Sequence, residues 1–131
     1  KIIGKFIPAR YFIYSFIGCI GIIFQLTNFY FLQFFLNFNL ALILSILFTI
    51  FFNFVLNNEF TYSDLKKKGS RFLIGLLKYY FFCSFGALFN FISARLIYDN
   101  TSNIYFAVLI GAFVGSIWNY SMNTSYNWNK K

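Results

Sequence analysis

Four asparagines near the ends of two apolar stretches are the side chains of this sequence best suited to chemistry. Asn53 and Asn57 lie in the first of these stretches, and Asn119 and Asn123 lie in the second. A carboxamide both donates and accepts hydrogen bonds, and a polar side chain inside a membrane is costly and often marks a functional site. Two interpretations stay open: the four residues form a binding site, or they join neighbouring helices and cap helix ends.

Residue sets for catalysis or metal binding are missing from the sequence. There is no His, and the three acidic residues, Glu59, Asp64 and Asp99, are too few and too scattered for a catalytic carboxylate pair. Cys19 and Cys83 lie far apart in apolar stretches, which leaves no zinc cluster and no Cys-x-x-Cys redox pair. We therefore expect no catalytic residue, no metal and no cofactor in this chain.

Membrane helices are the elements that must position these asparagines. Of the 131 residues, 60% are hydrophobic and only 11% are charged, whereas a soluble domain carries about 25% charged residues. A helix needs about 20 mostly apolar residues to cross the hydrocarbon core. Four stretches qualify, namely residues 11–34, 41–56, 72–97 and 104–122. The sequence therefore predicts an all-α integral membrane protein with four transmembrane helices in one domain, residues 1–131.

The connections between the predicted helices arrange them as two hairpins. Short segments rich in turn-forming residues join the first helix to the second and the third to the fourth. Such short connections make each pair antiparallel. The longer polar segment 57–71 links the two hairpins.

The basic residues predict the orientation of the hairpins. There are 11 Lys and Arg against 3 acidic residues, a net charge of +8, and basic residues are retained on the cytoplasmic side of a membrane. Only Arg95 lies at the end away from the termini and the linker, where Asp99 can pair with it at helical spacing. We therefore predict cytoplasmic termini and a cytoplasmic linker in a multi-pass protein, which lies in the cell membrane if its source is prokaryotic. The run Lys66–Lys68 would set this topology and attract anionic lipid headgroups rather than nucleic acid.

An internal repeat relates the two hairpins. Small and amide residues recur at every fourth position of the second and fourth helices with an offset of 66, and the sets are Ala41, Ser45, Thr49, Asn53, Asn57 and Ala107, Gly111, Gly115, Asn119, Asn123. In the first and third helices, Gly21 and Gly86 each precede an amide, Gln25 or Asn90, by four residues. The small residues favour close helix packing, and for the two amides a structural role is favoured. Because each half crosses the membrane twice, the repeats are predicted to be parallel and related by an axis along the membrane normal.

Motifs along the whole chain resemble those of the GtrA-like family. The opening RYF (10–12) and the following FIGCIG (16–21) are similar to the family's Arg-Phe and Val-Gly-x-x-Gly motifs. The segments NFVLNNEFTYSD (53–64) and IWNYSMNTSYNW (117–128) are similar to the segments that close the family's two hairpins. The resemblance implies a four-helix membrane domain that acts on lipid-linked sugars.

Within this family, the Asn57-Asn58 pair and CSFGALFN (83–90) look most like the C-terminal membrane domain of fused polyprenol-phosphate mannose synthases. The resemblance implies a preceding cytoplasmic glycosyltransferase domain that transfers mannose from GDP-mannose to dolichol phosphate and uses Mg²⁺ or Mn²⁺. Because the first residue is Lys rather than Met, we expect a piece of a longer protein, in which residues 1–10 end an interfacial linker. The alternative is a stand-alone GtrA-like protein that helps to move a polyprenyl-phosphate-linked sugar across the membrane for cell-surface polysaccharide synthesis.

The resemblance also implies that the domain binds a polyprenyl phosphate, whose phosphate needs basic groups or amide donors at headgroup depth. Arg10, Arg71 and Lys78 are the basic candidates, and the four asparagines could add amide donors. We expect the largest contribution from Arg10, because a guanidinium can hold a phosphate through two hydrogen bonds whereas Lys acts as a point charge. Arg10→Gln is accordingly expected to raise the apparent Michaelis constant for the lipid acceptor.

Overall fold

The computed structural model describes residues 3–128, and all regular structure within them is helical. The four long helices are α1 (Ile3–Leu32), α2 (Phe38–Leu56), α3 (Ser70–Thr101) and α4 (Ile104–Met122). Each contains a segment long and apolar enough to cross a membrane. The predicted all-α class with four membrane helices is thereby confirmed. Lys1, Lys130 and Lys131, which enter the charge argument, lie outside the described residues.

The first helix is longer than the apolar pattern predicts. The sequence predicts that residues 1–10 are an interfacial linker. In the structure α1 is continuous from Ile3, so this segment belongs, from Ile3 onward, to the same helix as the first membrane crossing.

Equivalent asparagines begin the second helix of each hairpin. Asn37 Oδ1 accepts a hydrogen bond from the backbone N–H of Leu40 at 2.9 Å, and Asn103 Oδ1 accepts one from Phe106 at 3.0 Å. Side-chain acceptors of this kind satisfy the free N–H groups of a first helical turn. The cap starts α2 at Phe38, three residues before the predicted position.

The third helix also extends past its predicted end, because polar side chains support its last turn. Arg95 pairs with Asp99 at 3.2 Å, which confirms the pairing predicted from their spacing. Thr101 donates its hydroxyl to the Ile97 carbonyl at 2.6 Å. Ser102 then ends the helix in the left-handed conformation, with φ at 56°.

Pairs of equivalent residues, one from each repeat, contact each other along the middle of the bundle. The pairs are Gln25 with Asn90, Tyr14 with Tyr79, and Tyr62 with Trp128. The two amides are hydrogen-bonded reciprocally, at 3.1 and 3.5 Å. The two stacked rings have centroids 4.2 Å apart and planes 1° apart. Because equivalent residues can meet only near a rotation axis, these contacts place an approximate twofold axis along the bundle, as parallel repeats require.

The repeat continues into the segments that follow α2 and α4. Each helix passes directly into a π-helical turn, Asn57–Thr61 after α2 and Asn123–Asn127 after α4. We call the end of the bundle that contains residues 57–69 and 123–128 the linker end, and the opposite end, with residues 33–37 and 102–103, the turn end. Wide helical turns of this type are frequent at functional sites.

Glycines let α3 and α4 pack with their backbones in contact. A Cβ on Gly115 would lie 2.8 Å from the Gly86 carbonyl oxygen, and one on Gly111 would lie 2.5 Å from the Asn90 carbonyl oxygen. No other residue type fits at this separation. The small residues of α2 lie in an equivalent row. Ser45 and Thr49 in this row are buried, and their hydroxyls donate hydrogen bonds to backbone carbonyl oxygens of α2 itself.

Candidate functional site

A cavity of about 350 Å³ at the linker end is lined by basic residues from two parts of the chain, the linker and α3. We call it the basic pocket. Its lining comprises four basic side chains, two apolar side chains, one amide and one indole, namely Lys66, Lys67, Arg71, Lys78, Leu65, Ile74, Asn127 and Trp128. None of these lining residues is acidic. An assembly of cations around one concavity is suited to an anion.

The first turns of α3 supply one wall of the pocket. Arg71, Ile74 and Lys78 are separated by three and four residues and therefore lie on one face of the helix. Leu73 and Leu77, on the adjacent face, are exposed to the surroundings of the bundle. Because a membrane-spanning helix exposes such residues to lipid, the pocket lies beside the hydrocarbon region.

Lys67 is held in the pocket by its backbone and by its side chain. Asn58 accepts the backbone N–H of Lys67 at 2.9 Å and donates to its carbonyl oxygen at 3.0 Å. The Lys67 Nζ donates to Asn127 Oδ1 at 2.9 Å and lies 5.6 Å from the centre of the Trp128 ring. The aliphatic part of the side chain crosses Gly75, where a Cβ would come within 2.5 Å of Lys67 Cδ.

The charge environment of Lys67 differs from that of an exposed lysine. Burial lowers the pKa of Lys67 from its ordinary value of 10.5, and the positive charge of Lys78 lowers it further. An ammonium group in this situation gains from any anion that neutralises it. Among the described residues, no ion pair involves Lys67, Arg71 or Lys78, whereas Lys66 pairs with Glu59. Three of the four basic side chains therefore have no acidic partner among the described residues and could pair with an anionic ligand.

Trp128 adds a buried aromatic ring to the lining. The residue is 4% exposed, and its Nε1 is buried without an acceptor among the described residues. The ring is fixed by stacking on Tyr62 and by an edge contact with Tyr79. These contacts hold the ring in place at the edge of the pocket.

Arg10, the basic residue expected to contribute most, lies outside the basic pocket. Its guanidinium pairs with Asp64 and lies 5.6 Å from the centre of the Tyr62 ring. The structure thus brings together Arg71 and Lys78 of the predicted set and leaves Arg10 in a separate ion pair. It adds Lys66 and Lys67, for which the sequence predicts only a role in topology and headgroup attraction.

The four candidate asparagines also lie outside the basic pocket. Asn57 and Asn123 are buried: Asn57 Oδ1 accepts the Thr61 hydroxyl at 2.7 Å, and Asn123 Nδ2 donates to the Asn119 carbonyl oxygen at 2.8 Å. Each of these two side chains thus makes a hydrogen bond within its own helical segment, at the residue where a π-helical turn begins. Asn53 and Asn119 face a different cavity within the bundle, between α1 and α4.

Asn58 and Asn127, which the sequence analysis did not select, have the clearest positioning roles. Asn58 fixes the backbone of Lys67, and Asn127 accepts its ammonium group. Both lie in the segments that close the two hairpins, so their position in the closing motifs is the signal that could have found them.

Comparison with known families gives a match over most of the chain. A family described as the GtrA/DPMS transmembrane domain matches residues 13–128, which include α1 from residue 13 onward, the other three long helices and both π-helical turns. No curated protein and no solved structure matches the chain.

Proposed function

The chain belongs to the GtrA/DPMS transmembrane-domain family, and from this membership and the basic pocket we propose that it holds the phosphate of a polyprenyl phosphate for a glycosyltransferase. It is a multi-pass integral membrane domain. In this proposal the transferase domain, fused or associated, passes a mannosyl group from a nucleotide sugar to the lipid phosphate. In the same proposal the transferase domain holds the divalent metal. Among residues 3–128, no group of three or more His, Cys, Asp or Glu side chains could hold a metal ion.

One observation carries the proposal: four basic side chains line the same cavity beside the lipid. A phosphate monoester carries about −1.5 to −2 charges at neutral pH and three acceptor oxygens. Lys67, Arg71 and Lys78 match this charge. The exposed apolar residues of α3 give the isoprenoid chain a direct path from the pocket into the bilayer.

The proposal predicts which basic residues affect the lipid acceptor. In the intact protein in nanodiscs, Lys67→Gln, Arg71→Gln and Lys78→Gln should each lower the affinity for farnesyl phosphate about tenfold, because a hydrogen bond to a charged group contributes roughly 1.5–3 kcal/mol. As this affinity falls, the apparent Michaelis constant for the lipid acceptor should rise. The apparent Michaelis constant for the nucleotide sugar should not change.

Lys68→Gln provides the matched control. Lys68 is exposed and does not line the pocket, so the substitution removes the same charge from the same linker without touching the site. An equal loss of affinity in Lys68→Gln would show that farnesyl phosphate responds to surface charge in general and would contradict the proposal.

A further inference from the structure

The turn that joins α1 to α2, residues 33–37, carries an exposed apolar patch. We call this turn the first tip. Phe34 and Phe35 are 65% and 84% exposed, and Phe31 and Leu40 on either side of the turn are exposed as well. Phe31 and Leu40 belong to the membrane-spanning segments of α1 and α2. The patch therefore continues the surface that these two helices present to lipid.

The repeat provides an internal comparison, because the equivalent end of the second hairpin is polar. We call residues 99–103 the second tip. Its exposed side chains are Asp99, Asn100, Thr101, Ser102 and Asn103. The first two of them are equivalent to Phe34 and Phe35 by the offset of 65 that also relates Asn90 to Gln25. The same place in the fold is thus apolar in one hairpin and polar in the other.

The charged residues show the same difference over the whole length of the hairpins. No Lys, Arg, Asp or Glu occurs in residues 11–58, which contain most of α1, the first tip and all of α2. In α3, charged residues lie on both sides of the apolar part, Lys78 toward the linker end and Arg95 toward the turn end. Because a charged side chain in a membrane must reach water or headgroups, the second hairpin has to bring its tip to the membrane surface. The first hairpin has no such requirement.

The backbone of the first tip is also suited to lipid. A peptide N–H group without a partner is costly in hydrocarbon. Four successive N–H groups, those of residues 33–36, donate to carbonyl oxygens of residues 29–32 at 3.0–3.3 Å. The Gln33 side chain donates to the Tyr105 hydroxyl at 3.1 Å, and the Asn37 side chain accepts the N–H of Leu40 at 2.9 Å. These polar groups have partners within the protein and do not need water.

We propose that the first tip is a membrane anchor, which inserts the rings of Phe34 and Phe35 into the lipid leaflet at the turn end while the second tip remains in water. Segments that bind a membrane surface bury Phe and Leu side chains at the boundary between headgroups and acyl chains. Equivalent residues lie at the same height along the approximate twofold axis, so the two different depths require this axis to tilt from the membrane normal. Transmembrane helices tilt by about 20° on average. The proposal is independent of the basic pocket, which lies at the linker end.

Nitroxide spin labels at two equivalent positions measure the depths of the tips. The labels are attached to Phe35→Cys or Asn100→Cys of the intact protein in nanodiscs, in a Cys19→Ser background in which the remaining Cys83 is buried. Oxygen relaxes a label in lipid, and a water-soluble nickel complex relaxes a label in water. The ratio of oxygen to nickel relaxation should be several-fold higher at Phe35→Cys than at Asn100→Cys. Equal ratios at the two positions would overturn the proposal, and weak relaxation of Phe35→Cys by both reagents would overturn it too, because protein rather than lipid would then cover the tip.

The repeat also supplies the variant that should withdraw the first tip from lipid. Phe34→Asp introduces the side chain found at Asp99, and should lower the ratio measured at Phe35→Cys several-fold, because the carboxylate must reach headgroups or water. Phe34→Leu keeps the position apolar and should leave the ratio unchanged. Melting temperatures report whether each variant folds. An unchanged ratio in a folded Phe34→Asp protein would contradict the anchor, and if that variant does not fold, the comparison of Phe35→Cys with Asn100→Cys decides.

Discussion

Lys67 has an unusual environment for a lysine of a membrane-surface linker. Asn58 exchanges two hydrogen bonds with the backbone of Lys67, and the Lys67 ammonium group donates to Asn127. The side chain of Lys67 lies across Gly75. An ordered lysine has already lost the rotamer freedom that an exposed lysine loses on binding. We infer that Lys67 binds an anion at a lower entropic cost than the exposed Lys68.

The lowered pKa of Lys67 predicts a pH dependence for anion binding. Because Lys67 loses its proton at a lower pH than an ordinary lysine, the affinity for farnesyl phosphate should begin to fall on the alkaline side before pH 10.5. Lys67→Arg should bind at neutral pH and retain its affinity on the alkaline side, since a guanidinium stays charged. Both proteins should bind less tightly below about pH 6, where the phosphate takes up its second proton.

Titrations in nanodiscs between pH 5 and pH 10 measure these changes. If the wild-type protein and Lys67→Arg lose affinity over the same alkaline range, Lys67 is not the group that contacts the phosphate.

Lys67 lies in the basic pocket and Arg10 lies outside it. The sequence does not predict which of these two basic residues lines the pocket. Both are basic residues near the linker end, and the preference for Arg10 is based on the chemistry of its side chain alone. Which cations share a pocket depends on the path of residues 57–69, and Asn58 sets that path by binding the backbone nine residues later. A contact of this kind leaves no periodic pattern in the sequence.

At the scale of helices, composition and spacing predict more. The four crossings follow from the apolar stretches, and the parallel repeat follows from the constant offset of 66 between the rows of small and amide residues. Helix ends are less predictable, because they depend on caps such as Asn37 and Asn103 and on polar side chains that extend α3 beyond its apolar part.

The close packing of α3 on α4 predicts different outcomes for two glycine substitutions. Gly111→Ala should lower the free energy of unfolding by about 1–3 kcal/mol, because the new Cβ would overlap the Asn90 carbonyl and the Ala94 side chain. Gly18→Ala adds the same methyl group where no atom lies within 4 Å, and should leave stability unchanged or slightly higher. Thermal melts of the two variants in one detergent make the comparison. Equal melting temperatures for both variants would contradict the packing described for α3 and α4.

At the scale of the whole molecule, the two ends of the bundle differ in charge. The linker end carries the basic pocket, and the turn end has Arg95 in an ion pair with Asp99. By the retention of basic residues on the cytoplasmic side, the basic pocket is predicted to face the cytoplasm, where a nucleotide-sugar-dependent transferase would meet the lipid phosphate.

Cysteine labelling tests this orientation. In a Cys19→Ser background, Ser70→Cys at the linker end should react with a membrane-impermeant maleimide only after the membrane is opened, and Asn100→Cys near the turn end should react in intact cells. Both positions are exposed. Reaction of Ser70→Cys in intact cells would place the pocket outside and would separate it from a cytoplasmic transferase.

The two tryptophans allow the most direct test of the basic pocket. The Trp128 ring lines the pocket, and its Nε1 is buried without an acceptor among the described residues. Trp118 does not line the pocket, donates its Nε1–H to the Phe82 carbonyl oxygen at 3.2 Å and serves as an internal control. In a ¹⁵N-labelled sample in nanodiscs, farnesyl phosphate should shift the Trp128 indole N–H signal, because the ring lines the pocket, and should leave that of Trp118 in place. Farnesol, which has no phosphate, should shift neither signal. A Trp128 signal that does not respond to saturating farnesyl phosphate, or that responds equally to farnesol, would contradict the assignment of the basic pocket as the lipid-phosphate site.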